Sequence, residues 1–343
     1  MILFIIVGIA LLIVGADLFV DGASGIAGKL KVSAFVIGMT VVAFGTSAPE
    51  LAVSTKSALD GSGDIAMGNV VGSNIINILL ILGISSLIRN LSVEKKTAFI
   101  EIPFLCAITG ILLLLTEVVT PMEVTHIDGL ILVLLFGVYV AYMVISALRD
   151  RKKEKLLASP DDGLSKQQPS QTETETPRAK GGILGVYERM QDKVWFLIVI
   201  TVVGLASVVL GAQLVVDNVE KLTALIPNDN ARKILSVTVV ALGTSLPELV
   251  TSVTAAIKGN TDLALGNVIG SNIMNIVLIL GLPALIFNVP YASSFMVDIL
   301  VSLGSVLLLL VCVGIGRGKK INKAGGILML LALMGYLVYL FLS

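Results

Sequence analysis

Two glutamates, Glu50 and Glu248, each lie deep inside a long apolar run. A carboxylate at the centre of a membrane helix costs about 2.5–3.5 kcal/mol on insertion scales, so such a side chain faces a cavity or a partner and carries function. No Lys, Arg or His stands at matching depth to pair with either. A bound cation is the natural partner, and one Ca²⁺ balances two glutamate charges. Both sit in the same local pattern, Thr46-Ser47-Ala48-Pro49-Glu50 and Thr244-Ser245-Leu246-Pro247-Glu248. S-x-x-E is the spacing of a capping box, so the plain expectation is a helix N-terminus at each serine. These starts fall inside apolar sequence, however, and not at a water interface. Proline also removes an amide donor and displaces the carbonyl four residues earlier, here Gly45 and Gly243. Irregular backbone at membrane depth is tolerated where it is buried in protein or lines a cavity. The nearby carbonyls of Ala43 and Ala241 become candidate oxygen ligands, and the new helix start steadies the carboxylate as an anion.

Hydroxyls and amides surround the pair. Thr46, Ser47, Thr244 and Ser245 are three or four residues from their glutamates, the spacing of one helix face. Ser73 and Asn77, and again Ser271 and Asn275, repeat a four-residue spacing in the next apolar run of each half. Gly68 and Gly72, with Gly266 and Gly270, form G-x-x-x-G faces that allow close helix approach. Every candidate ligand is an oxygen. Ca²⁺ takes six to eight oxygens at about 2.3–2.6 Å; Na⁺ is similarly hard, and the hydroxyls and amides suit it. Without a His or Cys cluster, Cu and Zn are poorly served.

The elements that must position these groups are membrane helices. Apolar residues make up 56% of the 343 positions and charged residues 14%, against about 25% charged in a soluble domain. Mean hydropathy is +0.98. Ten apolar stretches are expected as spans, at 2–28, 32–58, 65–88, 97–116, 126–148, 194–218, 233–257, 263–288, 292–315 and 324–342, each near the roughly 20 residues a bilayer core requires. The first is expected to be retained, since no positive segment precedes it. Residues 149–192 are hydrophilic, rich in Ser, Gln, Thr, Glu and Pro, and read as a disordered linker. With the N-terminus outside, 20 of the 24 Lys and Arg fall on the cytoplasmic side, as the positive-inside rule favours. Both termini are therefore expected outside and the linker inside. The 24 acidic residues balance the 24 basic ones, leaving no footprint for nucleic acid. Cys106 and Cys312 read as small core residues.

Residues 38–88 recur as 236–286 at a constant offset of 198: GTSAPEL at 45–51 matches GTSLPEL at 243–249, and GNVVGSNIIN at 68–77 matches GNVIGSNIMN at 266–275. Five helices per half is an odd number, so the second copy enters the membrane inverted, and inverted repeats place substrate near the midplane at their interface. The expected fold is thus an all-α integral membrane protein of ten transmembrane helices in two inverted five-helix repeats, 1–148 and 193–343, joined by the cytoplasmic linker 149–192. Asp17, Asp21 and Asp217 read as contacts at helix ends and Asp64 and Asp262 as helix starts. Glu101 and Asp298 are candidates for a role in ion access, and His126 reads as a solvated interfacial residue.

GTSAPE and GTSLPE, each followed by GN-x-x-GSN-x-x-N, resemble the paired repeats of the Ca²⁺/cation antiporter superfamily, over the whole chain and nearest to its prokaryotic Na⁺/Ca²⁺ exchanger branch. The resemblance implies one Ca²⁺ site held by Glu50 and Glu248 with backbone carbonyls and Thr46 and Thr244. It implies Na⁺ sites around it using Ser47, Ser73, Ser245, Ser271 and the same glutamates, with Asn77 and Asn275 nearby. H⁺/Ca²⁺ exchangers of the superfamily tend to carry an acid in the second motif, where this chain has Gly72 and Gly270. Potassium-dependent members place an aspartate where it has Asn275. The expectation is a non-enzymatic antiporter in the cell membrane that exchanges Ca²⁺ for Na⁺ by alternating access, with the first and sixth helices sliding over the rest. Its partners are the lipid bilayer and its two ions, with no cofactor and no obligatory protein partner. The rivals are an H⁺/Ca²⁺ antiporter on the same scaffold, a cation channel, and an intramembrane hydrolase using Ser47 or Ser245, for which no His or Lys base is placed.

Overall fold

Long apolar runs punctuated by glycine, proline and short polar turns fold here into helices that cross and recross one another. The computed structural model describes residues 1–157, 190, 193–223, 242–293, 295–315 and 319–342. Its helices are α1 (Ile2–Leu30), α2 (Ala34–Thr46), α3 (Ala48–Leu59), α4 (Gly63–Ile88), α5 (Thr97–Val119) and α6 (His126–Leu157), then α7 (Val194–Thr223), α8 (Leu246–Ile257), α9 (Thr261–Ile286), α10 (Phe295–Ile315) and α11 (Lys323–Leu342). Among the described residues eight of these are long and apolar enough to cross a membrane, and α2 with α3, bent by 48° where they meet, makes a ninth. The apolar helix α8 is shorter, at 12 residues. Most of the linker (158–189, 191 and 192), the start of the span expected at 233–257, and Ala241 lie outside the described residues. The span expected to end at 148 continues as α6 through Leu157.

Two helices form the centre. In their membrane-crossing stretches α4 is 67% and α9 78% buried, against 28% for α1, 33% for α7 and 22% for α6 and α11. The main apolar core joins Val70, Ile75 and Ile78 of α4 to Val268, Ile273 and Ile276 of α9. Small residues bring α2 onto α9: a Cβ on Gly270 would sit 2.7 Å from the Met39 backbone, and one on Gly38 would sit 2.7 Å from the Leu263 carbonyl. Among the described residues no comparable approach is made at Gly72, so the expected use of both G-x-x-x-G faces is seen on the α9 side.

At the periphery α1 and α7 run antiparallel along each other. Gly8 meets the Gly211 carbonyl and Gly15 the Gly204 carbonyl, and an added Cβ would come within 2.8 and 2.9 Å of these oxygens. Leu12, Ala16, Val208 and Ala212 fill the space between them.

The loops interlock the halves. Strand β1 (Leu91–Ser92) pairs antiparallel with β4 (Lys320–Ile321), and β2 (Glu123–Val124) with β3 (Val289–Pro290). Leu91 pairs with Ile321 and Val124 with Val289, so each ladder is the repeat-related image of the other. Short strands of this kind are invisible to hydropathy, because two residues carry no period.

Candidate cation-binding site

Both glutamates stand in the first turn of a helix that begins at a serine–proline break. Glu50 opens α3 and Glu248 opens α8, and both are buried. The break has nearly the same backbone in the two copies: Ser47 has φ −85° and ψ 9°, and Ser245 φ −86° and ψ 2°. These angles lie in the sparsely populated bridge region that active-site residues often occupy.

The expected capping boxes do not form. Neither serine makes a side-chain cap bond. Ser47 Oγ instead donates to Glu248 Oε1 at 2.9 Å, and Ser245 Oγ donates to Ser73 Oγ at 3.2 Å. A serine hydroxyl has one proton, and here it goes to a group of the other half. The same crossing extends to the glutamates: the hydroxyls of Thr244 and Ser245 face the Glu50 carboxyl, and those of Thr46 and Ser47 face Glu248.

A ring of asparagines supports these groups. Thr46 Oγ1 lies 3.2 Å from Asn267 Oδ1, and Asn267 Nδ2 donates to Ser252 Oγ at 2.9 Å. In the related half Thr244 Oγ1 lies 3.2 Å from Asn69 Oδ1, and Asn69 Nδ2 donates to Ser54 Oγ at 2.9 Å and to the Glu50 carbonyl at 3.1 Å. Between α4 and α9, Asn74 and Asn272 exchange side-chain donors with each other's main-chain carbonyls. Asn77 donates to Asn272 Oδ1, and Asn275 to Asn74 Oδ1, each at 3.0 Å. At Asn77 and Asn275 both helices widen into a π-helical turn, Asn77–Leu82 and Asn275–Leu280. Such turns are frequent at functional sites, and neither could be read from composition.

The chemistry lies in what this network leaves over. Glu50 Oε2, Glu248 Oε2, Asn77 Oδ1, Asn275 Oδ1 and Ser271 Oγ are buried with no hydrogen-bond partner. An unsatisfied buried polar atom costs about 1–3 kcal/mol, and more when charged. Four of these five oxygens are carboxylate or amide oxygens, and they come in repeat-related pairs. Such a set answers to a cation. Among the described residues no three His, Cys, Asp or Glu side chains converge, so an ion here would be held by two carboxylates and neutral oxygens.

Of the residues singled out in the sequence, Ser47 bonds Glu248, Ser245 bonds Ser73, Thr46 and Thr244 reach Asn267 and Asn69, and Asn77 and Asn275 join through Asn272 and Asn74, while Ser271 Oγ is buried without a partner. One expectation needs correction. The Ala43 carbonyl is not freed by the break, because it accepts the Ser47 amide at 3.0 Å and has the Thr46 hydroxyl 3.4 Å away. Asn69, Asn74, Asn267 and Asn272 were missed as supporting residues, although each recurs at the same offset of 198 as the glutamates.

Glu101 and Asp298 stand apart from the cluster. Glu101 accepts the Tyr142 hydroxyl, and Asp298 accepts that of Tyr336 at 2.6 Å. Asp17 and Asp21 are held by Lys258, whose Nζ lies 2.6 and 2.7 Å from their carboxyl oxygens. The His126 ring nitrogen Nδ1 lies 3.2 Å from the Ala284 and Leu285 carbonyls at the end of α9, so this exposed residue also ties two helices together.

Comparison with known proteins gives a consistent result. A family model described as sodium/calcium exchanger protein matches residues 1–145 and 196–342. The putative antiporter CaxA of Alkalimonas amylolytica is 36% identical, over 99% of this chain and 98% of its own. The sodium/calcium exchanger MaX1 of Methanosarcina acetivorans is 32% identical, over 99% of this chain and 98% of its own. The sodium-calcium exchanger NCX_Mj, soaked with zero Na⁺ and Ca²⁺, superposes with a TM-score of 0.77 at 31% identity, covering 99% of this chain and 98% of that one.

Proposed function

The chain belongs to the sodium/calcium exchanger protein family, and from that membership we propose that it exchanges Ca²⁺ for Na⁺ by alternating access, extruding Ca²⁺ at the expense of an inward Na⁺ gradient. The observation that carries this reading is the set of buried, unpartnered oxygens that includes one carboxylate and one amide oxygen from each half. Glu50 and Glu248 hold one Ca²⁺, with Thr46 and Thr244 adding neutral oxygens toward the six to eight the ion takes. Na⁺ ions occupy overlapping positions at Ser47, Ser73, Ser245, Ser271, Asn77 and Asn275 and share the glutamates. Because the ligands overlap, either Ca²⁺ or Na⁺ fills the site. An empty pair of buried carboxylates is costly to carry through an occluded state, and that cost couples the two fluxes.

In this reading the chain has ten spans in two inverted five-helix halves, 1–148 and 193–343. The segment 149–192 is cytoplasmic and both termini are outside, as the bias of basic residues supports. Glycine at both 72 and 270, where the second motif of H⁺/Ca²⁺ exchangers tends to carry an acid, supports sodium over proton coupling on this scaffold.

The test is ⁴⁵Ca²⁺ uptake into proteoliposomes with Na⁺, K⁺ and H⁺ gradients imposed separately. Uptake driven by an outward Na⁺ gradient and indifferent to a proton uncoupler is expected. Uptake that follows the pH gradient and ignores Na⁺ would replace this reading with proton exchange.

A further inference from the structure

We infer that Asn74 and Asn272 are positioning residues that dictate which end of the Asn77 and Asn275 amides faces the ion, an inference that rests on the reading of those two amides as oxygen ligands. Two main-chain carbonyls set the polarity. Asn272 Nδ2 lies 3.2 Å from the Asn74 carbonyl oxygen, and Asn74 Nδ2 lies 3.3 Å from the Asn272 carbonyl oxygen. A backbone carbonyl only accepts, so the side-chain atom facing it has to be the amide nitrogen. Each of these amides therefore turns its Oδ1 away from the carbonyl.

That oxygen meets the next amide along. Asn272 Oδ1 is 3.0 Å from the Asn77 amide, and Asn74 Oδ1 is 3.0 Å from that of Asn275. An amide oxygen also only accepts, so Asn77 and Asn275 have to offer their nitrogens here. Their own oxygens then point the other way, and these are the Oδ1 atoms that are buried and without partners. The polarity of the whole relay is fixed from the backbone outward, because the two amide ends are nearly equal in shape and only their partners can tell them apart.

The consequence for an ion is a change of sign. With the relay intact, each ligand amide presents the negative end of its dipole. Turned over, it would present an NH₂ group, which donates and repels a cation. Each ligand is moreover oriented from the opposite half: Asn272 governs Asn77, and Asn74 governs Asn275. The four residues are at most 2% exposed, so water does not offer the amides an alternative partner.

This crossed wiring is testable by double-mutant cycles on Na⁺ affinity, measured as the Na⁺ concentration that displaces equilibrium-bound ⁴⁵Ca²⁺ from the purified full chain in detergent. Asn272→Leu leaves the main-chain carbonyl of residue 272, and with it the orientation of Asn74 and Asn275, in place. It is expected to weaken Na⁺ binding about tenfold, the scale of one buried polar interaction. In the Asn77→Ala background it should weaken Na⁺ binding no further, whereas in the Asn275→Ala background its effect should persist in full. A role in packing alone would make it add equally to both. Asn74→Leu supplies the mirror experiment should Asn272→Leu not fold, with coupling expected to Asn275 and not to Asn77. Equal, additive effects in both backgrounds would overturn the inference while leaving the ligand reading intact. Unchanged Na⁺ binding in Asn77→Ala and Asn275→Ala would overturn the ligand reading and the inference with it.

Discussion

The α4–α9 and α1–α7 pairs are each made of repeat-related helices, and they meet in opposite ways. At α4–α9 the contact is written in directional bonds: the four asparagine interactions tie the helices together at the centre of the molecule. At α1–α7 the contact is written in small and apolar residues, with Gly8 and Gly15 against the backbone of Gly211 and Gly204. Hydrogen bonds between buried amides hold one register. A smooth apolar face held by dispersion is far less particular about register. On the proposed alternating-access reading the difference divides the labour: a fixed pair that carries ligands, and a pair that slides across it.

Polar links join α1 to the start of the second half's central helices: Asn260, at the N-cap of α9, donates to Ser24 Oγ at 2.9 Å. Lys258, just beyond α8, grips Asp17 and Asp21 of α1. The repeat-related position to Lys258 is Asp60; in the first helix of each half, where Gly15-Ala16 matches Gly211-Ala212 at an offset of 196, the position related to Asp21 is Asp217, and two acids there cannot form the same bond. Among the described residues the latch therefore has no image in the other half.

The contrast between fixed and sliding pairs can be broken from either side. The largest effect is expected at the ion itself: Glu50→Gln and Glu248→Gln should each reduce ⁴⁵Ca²⁺ transport to the level of protein-free liposomes while the chain remains monodisperse. Next comes the sliding pair. A Cβ at Gly15 would fall 2.9 Å from the Gly204 carbonyl and 2.7 Å from Ser207, so Gly15→Leu should slow exchange by about tenfold or more, as overpacking of a tight contact does. Equilibrium Ca²⁺ binding in detergent should survive that change. Loss of binding together with transport would show that α1 shapes the site and does not merely move past it.

Smaller effects follow at the latch. Partly exposed ion pairs are worth about 0.2–1 kcal/mol, so Lys258→Met should shift the apparent Ca²⁺ affinity measured from one side of the membrane by a few-fold and leave the other side unchanged. Equal shifts on both sides would remove the asymmetry from the comparison. At the bottom of the scale, Asp162→Asn in the linker should leave initial ⁴⁵Ca²⁺ uptake at the wild-type rate.

Much of this was legible in the sequence because membranes penalise polarity. Glu50 and Glu248 stood out as carboxylates in apolar runs, and Ser73, Asn77 and their copies stood out by repetition. The helix boundaries of α4 and α9 lay within two residues of those read from hydropathy. What escaped were choices made by tertiary contacts. Ser47 has the spacing of a cap, but its proton goes to Glu248, 201 residues away, and no local rule reports such a partner. The π-helical turns at Asn77 and Asn275 and the two-residue strands that join the halves leave no periodic trace. Asn74 and Asn272 were visible all along as repeated polar residues inside apolar helices. Their value lies in which atom faces which carbonyl, and that can be read only from a structure.

The most direct test of the account is the stoichiometry of ⁴⁵Ca²⁺ bound at equilibrium to the purified chain and to its two single glutamate variants. One Ca²⁺ per chain is expected, displaced by Na⁺ and lost in both Glu50→Gln and Glu248→Gln, because one divalent ion needs a carboxylate from each half. Retention of a full, Na⁺-sensitive equivalent of Ca²⁺ in either variant would contradict it.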